Sequence, residues 1–449
     1  MIAGMHAIVR ILISGLLWVS LVAFPQSPVR DLTILHINDL HARLTPNADG
    51  LGGFAHVATL LKRERAATPA SITLHAGDFV QGTPVSTMFE GVPIFEVANR
   101  LGIDVNTLGN HEFDYGWRKI AEYLKVTTIE TVNANVVNDR GERMLDKAYV
   151  VREVGGVRLA IVGALLENLP VRATEMGPWH VAPVVESLRP VVAEAKQRAD
   201  LVLVLGHIRV REAEQVLKEL PDVAVVVFGH PHDGLEKELE QDGRIGVQAS
   251  GYGRDIGRLR LRYDTERRRI VWHEWARLPV DSRTIPADPD VNREVQAWEA
   301  KVSSVVDVPI GRATKLVDRD AGRVLMEQAL IDRFKADAAF IERGSVRDEI
   351  PEGRLLARHL WNMSPFQDPA VTLTVSGREF AALFPDDAPP LLAGGATTID
   401  PARTYRLSTS RYTALGWIEL QGKAFPMTDE GITVRDAVID WIKQRTVIP

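Results

Sequence analysis

Side chains that commonly bind metal ions follow five apolar runs of the sequence. Each run ends in a short polar motif: N-D-L-H (Asp39, His41), A-G-D (Asp78), G-N-H-E-F-D (Asn110, His111), G-H (His207) and G-H-P-H (His230, His232). One such motif is a weak signal, because an Asp after a strand is commonly a cap or a turn residue and a lone His commonly belongs to the core. The ordered set of five predicts that these residues converge on one site.

The residue types of this set favour a centre of two divalent metal ions. Imidazole nitrogen and carboxylate oxygen suit Zn, Mn, Co or Fe, and the identity of the metal stays open. The chain has no cysteine, which excludes thiolate ligands. Asp78 is the natural bridging ligand, since a carboxylate between two cations offsets their repulsion. Two such ions, about 4 Å apart, share a hydroxide, lower its pKa toward neutrality and clamp the oxygens of a phosphoryl group.

A candidate catalytic pair follows the third apolar run. His111 and Asp114 are three residues apart, a spacing that places both on one face of a helical turn. Asp114 would orient the imidazole of His111 and favour its protonated form, and His111 would stabilise phosphoryl charge or assist the leaving oxygen. Alternatively, Asp114 caps a helix that begins at Tyr115. The two roles are compatible.

The elements that must position these residues alternate along the first part of the chain. Runs rich in Val, Ile and Leu predict buried strands at 32–38, 71–76, 105–108, 157–163, 201–205 and 223–228. Amphipathic stretches predict helices at 56–67, 85–101, 184–198 and 211–220. This alternation predicts an α/β domain, in which ligands lie beyond the carboxyl ends of the strands.

The segment I-P-A-D-P-D-V at 285–291 marks a domain boundary, because two prolines closely spaced in sequence interrupt regular structure. We therefore predict a metal-binding domain at 28–284, a linker helix within 285–308 and a second, smaller α/β domain at 309–449. A length of 449 residues is consistent with two or three domains.

Composition and the amino-terminal segment limit the partners and the location. The formal net charge of −6 argues against a nucleic-acid partner. Arg10 precedes an apolar run at 11–24, which predicts a signal peptide at 1–26 and a periplasmic or secreted protein. The alternative is that this segment stays as a membrane anchor. No later run is long and apolar enough to predict a membrane span, so none is expected after removal of the signal.

The ordered motifs resemble those of the calcineurin-like metallophosphoesterases, and the extended G-N-H-E-F-D motif with a second domain resembles the periplasmic 5′-nucleotidases and UDP-sugar hydrolases. The resemblance implies a four-layer α/β/β/α sandwich for the first domain and a substrate-binding role for the second. It also implies a catalytic pair of His111 and Asp114. One ion would be held by Asp39, His41, Asp78 and His232, and the other by Asp78, Asn110, His207 and His230.

In the second domain, the segments I-E-R-G-S-V-R and S-P-F resemble the family's substrate-binding region. The resemblance implies that Arg347 contacts phosphate or sugar and that Phe366 stacks on a base, roles that suit a guanidinium and an aromatic ring. Arg347 in a surface ion pair and Phe366 in the core are the alternatives. The chain departs from the family in having Glu342 where Asn is usual, and Y-T-A-L-G-W replaces a Gly-Gly-Asp segment, with Tyr412 or Trp417 as the substitute aromatic residue.

Three functional hypotheses follow. The first is a metal-dependent phosphatase that hydrolyses 5′-nucleotides to nucleoside and phosphate. The second is a phosphodiesterase or pyrophosphatase that acts on cyclic nucleotides or UDP-sugars, because the same centre recognises the phosphoryl group rather than its substituent. The third is a nucleotide-binding protein without turnover. In each case the expected partner is a small phosphate ester, and base or sugar specificity stays open.

Overall fold

The structure is a computed structural model that describes residues 27–169, 173–384 and 389–449. The predicted signal peptide at 1–26 lies outside the described residues. Within the described part of the chain, no helix combines the length and the apolarity needed to cross a bilayer.

Strands and helices alternate up to Pro279, as the sequence predicts. The strands are β1 (Val29–Ile37), β2 (Ser71–His75), β3 (Val105–Thr107), β4 (Glu130–Val132), β5 (Val136–Asn138), β6 (Tyr149–Val154), β7 (Val157–Leu165), β8 (Trp179–Val181), β9 (Leu201–His207), β10 (Val223–Gly229), β11 (Leu239–Gln241), β12 (Arg244–Val247), β13 (Asp255–Asp264) and β14 (Arg269–Pro279). The helices are α1 (Phe54–Ala67), α2 (Pro84–Met88), α3 (Val92–Ala98), α4 (Lys119–Val126), α5 (Ala173–Met176), α6 (Val184–Arg198) and α7 (Val210–Glu219).

Two six-stranded sheets form the centre of this domain, in the orders β14-β13-β1-β2-β3-β4 and β11-β12-β10-β9-β7-β6. The neighbours β1, β2, β3 and β4 are parallel, as are β7, β9, β10 and β12. Each sheet therefore brings the carboxyl ends of several strands to one edge, where loop residues from different parts of the sequence meet.

Strand β1 shows why the sheets pack face to face. Leu32 and Ile34 belong to an apolar core built from strands of both sheets, whereas Leu35 and Ile37 pack in the core that includes the helices. Successive side chains of a strand point to opposite faces, so β1 is apolar on both faces. Burial on both faces gives the near-continuous apolar runs in the sequence. The domain is thus a four-layer α/β/β/α sandwich, as the resemblance implies.

The helix predicted at 85–101 is wrong as a single element. The chain instead forms α2 and α3, separated by Gly91 with φ +78°. A Cβ atom at this position would lie 2.6 Å from Cγ1 of Val80, so the turn also needs the small residue. Pro93 near the start of α3 has no backbone N–H for a continuous helix.

A long helix, α8 (Pro289–Val306), connects the two domains. Asp288 caps it by accepting hydrogen bonds from the backbone N–H groups of Asp290 and Val291. Its buried side chains pack in the core of the first domain. From the second domain, Arg358 forms ion pairs with Glu299 and Asp307. The connector is therefore packed on the first domain and tied to the second.

The second domain is a smaller α/β unit. Its strands are β15 (Pro309–Ala313), β16 (Ala338–Ala339), β17 (Gly353–Leu356), β18 (Pro369–Ser376), β19 (Leu391–Leu392), β20 (Thr404–Ser410), β21 (Met427–Thr433) and β22 (Val447–Ile448). Its helices are α9 (Arg319–Phe334), α10 (Ala357–Met363), α11 (Gly377–Leu383), α12 (Arg411–Gln421) and α13 (Val434–Arg445). The strands form sheets in the orders β17-β15-β22 and β19-β16-β20-β18-β21.

Candidate active site

The predicted metal ligands lie at or just beyond the carboxyl ends of five parallel strands. Strands β1, β2 and β3 of one sheet lead to Asp39 and His41, to Asp78 and to Asn110, and strands β9 and β10 of the other lead to His207, His230 and His232. The site therefore spans the ends of both sheets. Among the described residues, the seven predicted ligands come together as the sequence predicts.

Four of these residues adopt an uncommon backbone conformation. The φ angles of Asp39, His41, Asp78 and His230 are +51°, +46°, +61° and +92°. Positive φ is sterically unfavourable for residues with a Cβ atom and persists only where the surrounding structure enforces it. Four residues with positive φ in these loops indicate that the backbone conformation directs their side chains into the site.

The first ligand group is Asp39, His41, Asp78 and His232. One potential ligand atom from each lies within 4.8 Å of the others. Nε2 of His41 lies 3.0 Å from Nε2 of His232 and 3.7 Å from Oδ2 of Asp78. The buried oxygens Oδ1 of Asp39 and Oδ2 of Asp78 have no hydrogen-bond partner of good geometry among the described residues. These oxygens and facing imidazoles fit one divalent cation.

The second ligand group shares Asp78 with the first. Nε2 of His207 lies 3.2 Å from Oδ2 of Asp78 and 3.1 Å from Oδ1 of Asn110. Nδ1 of His230 lies 3.1 Å from the same oxygen of Asn110. Because Oδ2 of Asp78 is close to both His41 and His207, this carboxylate lies between the two groups. The arrangement fits a second ion with Asp78 as the bridge.

Electrostatics in the site follow from burial and from close charges. Burial favours the neutral form of Asp78, but the charges of His207 and His111 outweigh burial and hold its pKa well below the usual value. Burial lowers the pKa of His230 to about 3, so this imidazole is neutral at physiological pH. Burial also opposes protonation of His207, but the charge of the nearby Asp78 carboxylate outweighs burial and raises its pKa to about 9.

The pair His111–Asp114 forms, but not on a helix that begins at Tyr115. His111 lies in a short 3₁₀ turn, and the next helix, α4, begins at Lys119, so Asp114 does not act as its cap. Nδ1 of His111 lies 2.8 Å from Oδ2 of Asp114. Burial lowers the pKa of His111, but the charges of Asp114 and Asp78 outweigh burial and raise it. The imidazole is thereby favoured in its protonated form.

The second domain completes a cavity of about 620 Å³ over this centre. Nη2 of Arg347 lies 3.1 Å from Nε2 of His111, and the guanidinium carbon lies 5.5 Å from the ring centre of Phe366. Both residues line the cavity, as does Tyr412. Arg347 is thus placed at the reaction centre rather than in a surface ion pair.

Trp417, predicted as a substrate contact, does not line the cavity. It is 8% exposed and packs in the apolar core with Phe340 and Phe384. Tyr412 lies in the first turn of α12, next to the cavity, whereas Trp417 lies in the second turn and faces the core.

Two residues of the site were not identified from the sequence. The buried carboxylate of Glu112 accepts hydrogen bonds from the backbone N–H groups of Asp78, Phe79 and Gly109, so it holds two ligand loops together. The hydroxyl of Tyr252 lies 3.0 Å from Nδ1 of His232, a contact that orients the imidazole of this candidate ligand. Glu112 belongs to the G-N-H-E-F-D motif, so the sequence could have indicated its role. No local sequence pattern marks Tyr252.

Known proteins share both domains of this chain. Residues 32–234 match the family model of the calcineurin-like phosphoesterases, and residues 321–390 match that of the 5′-nucleotidase C-terminal domain. An apyrase of Aedes albopictus is 28% identical over 401 residues, covering 77% of this chain and 70% of its own. The protein UshA of Yersinia enterocolitica is 23% identical over 499 residues, covering 91% and 88%.

Solved structures share the fold. The 5′-nucleotidase precursor of Thermus thermophilus superposes with a TM-score of 0.84 at 22% identity, covering 93% of this chain and 97% of its own. The sulfate thiohydrolase SoxB of the same species superposes with a TM-score of 0.80 at 17% identity, covering 94% and 95%. These likenesses show the fold, and the two family matches identify the domains. The chain therefore combines a calcineurin-like phosphoesterase domain with a 5′-nucleotidase C-terminal domain.

Proposed function

We propose that this protein hydrolyses 5′-nucleotides to nucleoside and phosphate at a centre of two divalent metal ions. The observation that carries the proposal is the position of Asp78, whose Oδ2 atom lies 3.7 Å from Nε2 of His41 and 3.2 Å from Nε2 of His207. A shared carboxylate between two imidazole-rich groups is the ligand arrangement that a two-metal phosphoesterase requires.

The seven ligands divide into two sets that share this carboxylate. Asp39, His41 and His232 would complete one set, and Asn110, His207 and His230 the other. When bound, the two ions would lower the pKa of the attacking water and offset the charge of the phosphoryl oxygens. The absence of cysteine and the hard or borderline donors suit Zn, Mn, Co or Fe.

The residues around His111 provide the remaining chemistry. Nη2 of Arg347 lies 3.1 Å from Nε2 of His111, so a protonated His111 and the guanidinium of Arg347 would be two neighbouring donors. An anionic phosphoryl oxygen placed against both would accept a hydrogen bond from each. Asp114 holds the imidazole through Nδ1. We infer that His111 stabilises charge on the phosphoryl group or protonates the leaving oxygen.

The second domain supports a nucleotide as the substrate. Relatives named 5′-nucleotidase and apyrase match this chain, and the cavity offers the ring of Phe366 for stacking against a base. We also infer that the protein is exported to the periplasm or secreted. The amino-terminal apolar segment at 11–24 supports export.

The test is phosphate release from a substrate panel by protein that lacks residues 1–26, with added Mn, Zn or Co. The panel contains AMP, UMP, cyclic nucleotides, UDP-glucose, an aryl phosphate and an aryl sulfate. We expect the highest kcat/KM for nucleoside monophosphates. A preference for cyclic nucleotides or UDP-glucose would favour the diesterase or pyrophosphatase alternative. Hydrolysis of the aryl sulfate alone would overturn the assignment to phosphate esters.

A further inference from the structure

A second group of metal-binding side chains lies outside the catalytic cavity, at the edges of the two sheets of the first domain. Strand β14 is the last strand of one sheet, and β11 is the last strand of the other. His273 lies on β14, Glu240 on β11 and Glu238 directly before β11. One potential ligand atom from each lies within 4.8 Å of the others. We name these three residues the edge cluster, and none of them lines the cavity.

The distances within the edge cluster suit a bound cation. Nε2 of His273 lies 3.0 Å from Oε1 of Glu238 and 3.3 Å from Oε1 of Glu240. In a tetrahedral zinc site with bonds of about 2.0–2.1 Å, neighbouring ligand atoms are about 3.3 Å apart. The separations around Nε2 of His41 in the catalytic centre, 3.0 Å and 3.7 Å, are similar. The spacing therefore fits one cation held by three side chains.

The imidazole of His273 does not satisfy both carboxylates of the edge cluster. Nε2 carries at most one proton, and only its contact with Glu238 has hydrogen-bond geometry. The carboxylate of Glu240 has no hydrogen bond of its own within the described ranges of the chain. No Lys or Arg side chain in these ranges forms an ion pair with either glutamate, although Lys237 is adjacent in sequence. The cluster thus offers two carboxylates and one imidazole nitrogen to a divalent cation.

The connection between β10 and β11 links the edge cluster to the catalytic centre. The motif G-H-P-H begins this connection, and Glu238 ends it. His273 and Arg277 lie four residues apart on β14, so their side chains point to the same side of the strand. Nη1 of Arg277 donates a hydrogen bond to the backbone carbonyl of Asp233 at 3.1 Å. Strand β14 therefore holds the connection near the catalytic ligands through Arg277 and at its far end through His273.

The edge cluster is only partly enclosed. The side chains of Glu238 and His273 are 19% and 22% exposed, and that of Glu240 is 51% exposed. An ion here would bind three protein atoms and keep one position open for water. Each candidate group of the catalytic centre offers four side chains. We therefore expect the edge cluster to bind an ion less tightly and to release it when free metal is removed.

We propose that Glu238, Glu240 and His273 bind a further divalent cation of the kind that takes imidazole and carboxylate ligands, such as Zn²⁺. The ion joins the edges of the two sheets and fixes the end of the connection that carries two catalytic ligands. Its role is structural, because the cluster lies outside the cavity in which hydrolysis takes place. The inference does not depend on the proposed function.

The experiment counts the Zn²⁺ ions bound at equilibrium, by dialysis against increasing Zn²⁺ followed by metal analysis. We expect one weakly bound ion per wild-type chain in addition to the tightly bound ions of the catalytic centre. Glu240→Gln changes a half-exposed side chain without changing its size, and it should lose the weak ion alone. His273→Ala should show the same loss. The control is His180→Ala, an exposed histidine 3.7 Å from Asp139, which should keep the weak ion.

Hydrogen exchange locates the ion. In protein whose catalytic centre is already filled, Zn²⁺ at ten times the Kd of the weak ion should slow local opening of the edge cluster about tenfold. The effect should appear in peptides that cover 233–241 and 269–279 of the wild type and be lost in Glu240→Gln. Equal Zn²⁺ counts in the wild type and Glu240→Gln would overturn the inference. Loss of the weak ion in His180→Ala would also overturn it, because the binding would then be non-specific.

Discussion

At the residue scale, His111 is the side chain whose loss should separate turnover from metal binding. It lies next to the candidate ligand Asn110, but its own imidazole points to Asp114 and Arg347. We expect His111→Ala to keep both metals and to lower kcat by about a hundredfold or more, because a proton donor or charge stabiliser is removed. Metal analysis and phosphate release on the same sample measure both effects.

The control for this substitution is His180→Ala. His180 also lies near an aspartate, Asp139, at 3.7 Å, but its side chain is 52% exposed and it belongs to β8, outside the ligand loops. Its loss should leave kcat unchanged. Wild-type turnover in His111→Ala would contradict the role of His111, and loss of metal would show that it acts in the ligand set instead.

Metal binding should release protons at neutral pH. In the metal-free protein, Asp78 raises the pKa of His207 to about 9 despite burial, so this imidazole is protonated at pH 7, and a metal must displace that proton. Metal affinity should therefore increase as the pH rises toward 9. Calorimetric titration in buffers of different ionisation enthalpy measures the released protons. Metal binding without proton release at pH 7 would contradict the assignment of His207 as a ligand.

The sequence predicts the convergence of the seven candidate metal ligands well, because each lies at the carboxyl end of a strand or in the loop that follows it, and the strand fixes where that loop begins. The sequence predicts substrate contacts less well, because the way a helix packs determines which of its faces lies next to the cavity. Tyr412 and Trp417 lie five residues apart on α12, and only the packing of that helix on the core determines which one reaches the cavity. Tyr252 reaches His232 across a loop, and no local motif marks such a contact.

At the scale of elements, the close approach of the loops after β2 and β3 depends on Gly109. A Cβ atom on Gly109 would lie 2.1 Å from Oδ1 and 2.5 Å from the backbone N of Asp78. We expect Gly109→Ala to displace Asp78, with loss of metal and activity and with destabilisation of about 1–3 kcal/mol from overpacking. Metal analysis and urea unfolding measure the two effects.

Gly416→Ala is the matched control. Gly416 lies inside α12, and a Cβ atom there would have no atom within 4 Å. Alanine should stabilise this helix by about 0.5–1 kcal/mol and leave activity unchanged. Full metal content in Gly109→Ala would show that the two loops can separate without moving the bridging carboxylate.

The strands were predictable because burial on both faces leaves a continuous apolar run in the sequence. The helices were predictable where one apolar face repeats, as in α6, which runs from Val184 to Arg198 as expected. The break at Gly91 was missed because the surrounding residues keep an apolar pattern through the turn. The tight contact with Val80 that requires glycine there involves a residue from another segment.

At the scale of the whole molecule, the cavity is lined by both domains and so depends on contacts between them. Arg43 of the first domain is nearly buried and pairs with Asp348 of the second at 2.6 Å. Removing Asp348 leaves a buried guanidinium unpaired, which favours separation of the domains. We expect Asp348→Ala to raise KM for nucleotides about tenfold with unchanged metal content. Steady-state kinetics on AMP and an aryl phosphate measure this effect.

Glu142→Ala serves as its control, because the Glu142–Arg140 pair is exposed and lies within the first domain. An exposed pair contributes little, so KM should not change. An unchanged KM in Asp348→Ala would mean that the Arg43–Asp348 pair does not support closure. The sequence predicts two domains from the prolines near 285–291, but it does not reveal this pair, whose members lie 305 positions apart.

The central claim is that Asp78 would be the ligand shared by two metal ions at a site where a phosphate ester is hydrolysed. The most direct measurement is metal content and phosphate release, on the same samples of wild-type protein and Asp78→Asn. We predict about two divalent ions per wild-type chain, and for Asp78→Asn a loss of metal together with a loss of hydrolysis of both AMP and an aryl phosphate. Retention of both ions with normal hydrolysis in Asp78→Asn would contradict the claim.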